Sequence, residues 1–127
     1  MLGGAWMPVA LLAGFLLTVR MVFGRDLHSI SPRAAQALTQ PGRVTILDIR
    51  EAREVLGSSL PGARFIPLSQ LARRMSEIPQ GQILVYCASG QRGRTAVAWL
   101  RRAGHLDVWN LEGGLNAWAQ QGYPLQG

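Results

Sequence analysis

The chain contains no lysine and a single cysteine, Cys87. One cysteine excludes an intrachain disulfide and any zinc site built from several thiolates. All 13 basic residues are arginine, which reads as a composition bias rather than a functional signal. Acidic residues number 7, leaving a formal net charge of +6. The arginines are scattered, however. No Arg-rich run is interleaved with aromatics and no binding motif is present, so nucleic acid is not an expected partner. The positive excess suits a solvated surface and attraction to anionic lipid or small anionic substrates. A length of 127 residues accommodates one domain and an appendage.

Charge is also missing from the first nineteen residues, "MLGGAWMPVALLAGFLLTV" (Met1 to Val19). In a helix this run spans roughly 28 Å, close to the hydrocarbon thickness of a bilayer. Pro8 lies near the start, where a missing backbone donor costs least. Trp6 and Arg20 fall near opposite interfaces. A cleaved signal peptide expects a basic region before the apolar run and a small-x-small cleavage site; no Arg precedes the run, and "RMVFGRD" is a poor cleavage site. A buried core helix fits poorly with a segment apolar all round. Residues 1–24 are therefore expected to form one transmembrane helix, followed by a domain over 25–127. The arginines after the span place that domain in the cytoplasm by the positive-inside rule.

Beyond Asp26, short apolar runs alternate with helical patterns. "LHSI" reads as a short strand. "SPRAAQALTQPG" reads as a helix with Ser31 as N-cap, Pro32 at its first position and a Pro-Gly stop. "VTILDI" (Val44–Ile49) is a buried-type strand, "REAREVL" starts a short helix, and "RFIPL" is a strand ended by Pro67. "SQLARRMSEI" is amphipathic, with Leu71, Met75 and Ile78 on one stripe. "QILVYC" (Gln82–Cys87) is the most apolar strand and hence the expected centre. "RTAVAWLRRAG" is a helix closed by Gly104, "DVWNL" a further strand and "GGLNAWAQQG" a final helix. This alternation predicts an α/β fold: a largely parallel sheet covered by helices on both faces. Ligands bind such sheets at the carboxyl ends of the strands, which is where Cys87 falls.

The loop after Cys87, "ASGQR", leads from that strand into a helix. If Ala88, Ser89, Gly90, Gln91 and Arg92 curl around the sulfur, their amides form an anion cradle, to which the helix adds its positive end. Gly90 permits the backbone angles this needs. Arg92 and Arg94 bring fixed positive charge nearby. All of these favour a thiolate over a thiol, and so a nucleophile acting on an anionic substrate. A free cysteine ending a buried strand is also common as a small packing residue, but a packing thiol needs no such loop.

Four segments in order resemble the rhodanese family of single-domain sulfurtransferases. "VTILDIREAREV" is similar to the family's first strand and Asp-x-Arg-Glu signature, with Asp48, Arg50, Glu51 and Glu54 in register. "LPGARFIPL" resembles the turn and strand that follow, "CASGQR" the active loop, and "LEGGLNAW" the C-terminal Gly-Gly-x-x-x-Trp segment. Two departures stand out. Ser58–Ser59 replace the usual Gly-His, and Ala88 replaces a frequent arginine and removes a positive charge beside the sulfur.

The resemblance implies a rhodanese-like open sheet of about five mostly parallel strands. It also implies a Cys87 persulfide, loaded from a small anionic donor such as thiosulfate and discharged to cyanide, a thiol or a protein acceptor. Ala88–Arg92 would bind the anion, with no metal or organic cofactor. The Cys-x4-Arg spacing from Cys87 to Arg92 is one residue shorter than the Cys-x5-Arg loop of the related cell-cycle phosphatases, so sulfur transfer is favoured over a Cys-based phosphatase or arsenate reductase. A membrane-tethered, non-enzymatic sulfur carrier is the alternative.

Asp48 and Arg50 are expected to form an ion pair that supports the loop. Glu51 and Glu54 read as first-turn helix acids. His28 and His105 read as surface or cap residues. Trp99, Trp109 and Trp118 read as packing residues, and Gly113–Gly114 as a tight turn into the last helix.

Overall fold

The residues Ile83–Tyr86 are buried without exception, and they form the central strand, β4, of a five-stranded sheet. The computed structural model describes residues 26–40 and 42–127. The expected membrane span at 1–24 lies outside them; among the described residues no helix is long and apolar enough to cross a membrane. The elements run β1 (Ser29–Ile30), α1 (Pro32–Thr39), β2 (Thr45–Asp48), β3 (Arg64–Phe65), α2 (Leu68–Leu71), β4, α3 (Gln91–Arg102), β5 (Val108–Leu111) and α4 (Gly114–Gln120). The sheet order is β1-β5-β4-β2-β3, and each of these strand pairings is parallel. Register sets Asp48 beside Tyr86 and Val85 beside Asn110, so the carboxyl ends of β2, β4 and β5 lie side by side.

Alternation along β4 divides the core into two. Ile83, Val85 and Cys87 pack with Leu71, Ile78, Val97 and Leu100 beneath α2 and α3. Leu84 and Tyr86 pack with Ala35, Leu60, Leu115 and Trp118 beneath α1 and α4. Each fully buried aliphatic side chain contributes about 1.5–3 kcal/mol. Helices thus cover both faces, as a parallel sheet requires.

Local signals set the helix ends. The Ser31 hydroxyl accepts from the Ala34 N–H at 3.1 Å, and Pro32 takes the first position of α1. α3 closes in a Schellman motif: Gly104 (φ +99°) donates to Arg101 C=O, and the His105 N–H to Leu100 C=O at 2.9 Å. His105 is therefore a cap residue, but a buried one, at 5% exposure.

Two helix expectations change. "REAREVL" makes only a 3-10 turn, Ala52–Glu54, closed by a reciprocal capping box between Glu51 and Glu54. Arg50 Nη1 donates to the Glu54 C=O at 3.1 Å, diverting the carbonyl that a longer helix would use. "SQLARRMSEI" winds as α2 and then a 3-10 segment, Ala72–Glu77, interrupted at Arg74 (φ −112°, ψ 16°). The apolar stripe survives, since extended angles at Ile78 turn it into the core beside Leu71.

Candidate active site

Cys87 directly follows β4 and is wholly buried. The Gly90 N–H donates to its Sγ at 3.1 Å. Gly90 reaches this position with φ +99°, in the left-handed region, and serves as N-cap of α3. The unpaired first-turn amides of that helix, from Gln91 onward, and its positive dipole end start at the same place. Of the five cradle residues expected from sequence, Gly90 is the one whose amide is bonded to the sulfur. Ala88 and Arg92 are half-buried, while Ser89 and Gln91 are exposed.

The last helix holds the loop from below. Leu115 N–H donates to Cys87 C=O at 2.8 Å, and Asn116 N–H to Ala88 C=O at 3.0 Å. The loop carbonyls are thereby drawn toward α4. Gly114 makes the approach feasible: a Cβ on it would lie 2.5 Å from the Cys87 oxygen and 2.6 Å from the Ala88 carbonyl carbon. The Gly113–Gly114 turn is thus part of the site's foundation, beyond the tight-turn role its sequence suggests.

Arg92 does not point freely at an incoming anion. Its guanidinium pairs bidentately with Glu54, Nη1–Oε2 and Nη2–Oε1 both at 2.7 Å. This bond, against a smaller burial penalty, holds the Glu54 carboxyl down at about 2. Glu54 is therefore more than a helix-start acid. It receives Arg92 from 38 residues away in sequence. Glu51, besides its capping role, accepts from Ser69 Oγ at 2.7 Å.

Behind Glu54 stands the Asp48–Arg50 pair that the sequence predicts. Both residues are buried, with Arg50 Nη2–Asp48 Oδ2 at 2.7 Å and Nε–Oδ1 at 3.0 Å. Arg50 also donates to the carbonyls of Glu54 and Ser58. The Tyr86 hydroxyl donates to Asp48 Oδ2 at 2.6 Å, and the Arg50 guanidinium lies over the Tyr86 ring at 5.6 Å. Burial, then the Asp48 carboxylate, pushes the Tyr86 phenol well above its ordinary range, while the hydrogen bond to Asp48 raises the Arg50 guanidinium. Tyr86 belongs to the core on the face opposite Cys87, so this network supports the turn carrying Glu54 rather than touching the sulfur.

On the other flank, a polar cavity of about 600 Å³ opens beside the loop. Its lining includes Ser29, Ser89, Gly90, Arg94 and Asn110, but not Cys87. Arg94 is exposed there and pairs with Asp26, Nε–Oδ2 at 3.4 Å. Burial pushes the Asp26 carboxyl up, but hydrogen bonds from Ser29 Oγ and the His28 N–H, with the Arg94 charge, outweigh it and hold it below the ordinary range. Sequence reasoning missed Asn110, Ser29 and Asp26. The available signal was a polar residue inside the apolar strand "VWNL". Trp118 is buried and Trp99 and Trp109 half-buried, all as packing residues. Among the described residues no cluster of three or more metal-ligating side chains is present.

The fold is of the α/β class, with a lone thiol at the carboxyl end of its central parallel strand, bonded by the N-cap amide of the next helix. Residues 31–121 match the family model described as "Rhodanese-like domain". A sulfurtransferase of Allochromatium vinosum is 38% identical over 96 residues, covering 75% of this chain and 90% of that protein. A thiosulfate sulfurtransferase of Pseudomonas fluorescens is 30% identical over 103 residues, covering 80% and 92%. The crystal structure of a rhodanese-related protein from Thermoplasma volcanium superposes with TM-score 0.70 at 31% identity, covering 78% of this chain and 97% of that one. The chain belongs to the rhodanese-like domain family.

Proposed function

We propose that the chain is a sulfurtransferase that moves sulfane sulfur from a small anionic donor such as thiosulfate to a thiophilic acceptor, through a persulfide on Cys87. The observation that carries this reading is the Gly90 N–H bonded to Cys87 Sγ at the start of α3, on a six-residue loop from Cys87 to Arg92. In the first step the Cys87 thiolate attacks the outer sulfur of thiosulfate. The donor's S–S bond breaks and sulfite leaves with the bonding electron pair. In the second, cyanide or a thiolate attacks the outer sulfur of the persulfide, and the Cys87 thiolate leaves. Amides of the loop and of the first turn of α3 stabilise the anionic sulfur in both steps. The relatives named as sulfurtransferases support the same chemistry. The uncharged run Met1–Val19 supports a membrane-tethered enzyme with its catalytic domain on the cytoplasmic side.

Intact-protein mass spectrometry of the full chain, with and without thiosulfate, tests this reading. The wild type is expected to gain the mass of one sulfur and to lose it on adding cyanide, while Cys87→Ser gains none. No gain on the folded wild type sinks thiosulfate as donor. A gain that cyanide discharges only once, without steady-state turnover, makes the chain a sulfur carrier instead.

A further inference from the structure

Asn110 is a buried polar residue in a strand that is otherwise core. Its Nδ2 donates two hydrogen bonds, to the Gly90 C=O and to Ser29 Oγ, both at 3.0 Å. Among the described residues its Oδ1 has no hydrogen-bond partner. That oxygen lies against α3, whose first turn carries Gly93 at the contact; a Cβ there would fall 1.9 Å from it. An apolar side chain of the same shape would fill this space without leaving a buried acceptor unpaired. The amide's distinctive contribution is therefore its two donated bonds, one of them to the Cys87 loop.

Ser29 faces Asn110 with a lone pair, because its own proton goes to Asp26 Oδ2 at 2.5 Å. Asp26 in turn pairs with Arg94 of α3. A chain of bonds thus runs from a carboxylate through a hydroxyl and an amide to Gly90, each polarising the next. Gly90 is the loop residue with the greatest freedom to swing, having no Cβ and φ +99°. It is clamped at both ends, its N–H on the Cys87 sulfur and its C=O on Asn110. In a planar trans peptide, fixing that C=O also turns the Gln91 N–H the opposite way, away from β5.

We propose that Asn110, braced by Ser29, is a positioning residue that holds the Gly90 peptide so that the loop amides face the sulfur. This assignment of its effect on turnover rests on the sulfur-transfer reading; its effect on loop geometry does not. Asn110→Leu keeps the shape and removes both bonds. Asn110→Asp puts an acceptor against the Gly90 carbonyl. Val108→Ala, in the same strand and remote from the loop, supplies a destabilised control.

Two readouts on the full chain decide the matter. In amide NMR, both Asn110 variants are expected to shift the Gly90 and Gln91 resonances well beyond the core amides of β2, and Val108→Ala to leave them in place. In single-turnover loading, both are expected to slow persulfide formation at saturating thiosulfate by about tenfold or more, with the half-saturating concentration unchanged. Unmoved Gly90 and Gln91 resonances in Asn110→Leu, or an equal rate loss in Val108→Ala, overturn the proposal. If the wild type forms no persulfide, the sulfur-transfer reading fails by itself and the NMR comparison still decides whether Asn110 positions the loop.

Discussion

The Cys87 loop is held from two flanks by opposite means. On the β2 side the hold is ionic: Arg92 grips Glu54, and Glu54 sits on a turn pinned by the buried Asp48–Arg50 pair. On the β5 and α4 side it is neutral and tight: the Asn110 amide, two backbone N–H groups of α4, and a glycine packed against the loop carbonyls. On the neutral flank the groups that touch the loop carry no charge. The ionic flank answers to pH and salt, because the Arg92 and Glu54 side chains keep 36% and 28% of their surface exposed. One side of the loop is a mould of neutral contacts, and the other is a clasp held by charge.

The largest expected effect lies at the root of the clasp. Arg50→Met leaves Asp48 buried without its counter-charge and should cost about 3–5 kcal/mol in urea denaturation. A loss below 1 kcal/mol would show that the Tyr86 hydroxyl and the backbone N–H of residue 50 suffice for Asp48. Next comes the mould. Gly114→Ala places a Cβ 2.5 Å from the Cys87 oxygen, at φ +61°, and should cost about 2–3 kcal/mol. It should also slow sulfur loading at temperatures where the protein remains folded, since the loop itself must move.

Smallest in stability is the clasp. Glu54→Gln should cost about 1 kcal/mol or less at neutral pH, as a partly exposed pair does. Its signature is the pH dependence. The Glu54 value of about 2 lies below its ordinary 4.5. The pair's contribution is therefore complete above pH 4.5 and lost as the pH falls toward 2. Wild-type stability should decline across that window, and Glu54→Gln should flatten the decline. Released from Glu54, Arg92 should also lower the half-saturating concentration of thiosulfate several-fold, seen in the loading assay. An unchanged value would mean that Arg92 takes no part in donor binding.

Much of this was legible before any coordinates. The runs "VTILD", "ILVY" and "VWNL" announce buried parallel strands because both faces are covered and apolar residues need not alternate. Ser31–Pro32 and Gly104 mark the ends of α1 and α3 through local hydrogen bonds. Cys87, its loop and the Asp48–Arg50 pair were readable too, the pair because two residues' separation after a strand puts its members within reach. The Glu54–Arg92 clasp was not, because neither charge carries a mark of its partner across 38 residues. Asn110 was visible only as an oddity in an apolar strand. The short 3-10 turn at Ala52–Glu54 escaped because the Arg50 side chain, held by buried Asp48 and the Ser58 carbonyl, takes the Glu54 carbonyl and overrides local helix preference.

By itself, then, the sequence determined the alternation of strands and helices, their order, and the position of the thiol at the end of the central strand. Those depend on period, caps and turns, which act within a few residues. Only the tertiary structure decided which groups aim the loop at the sulfur. Glu54, Asn110 and Gly114 reach it from three separate elements, and nothing short of the parallel sheet order β5-β4-β2 brings them around one cysteine.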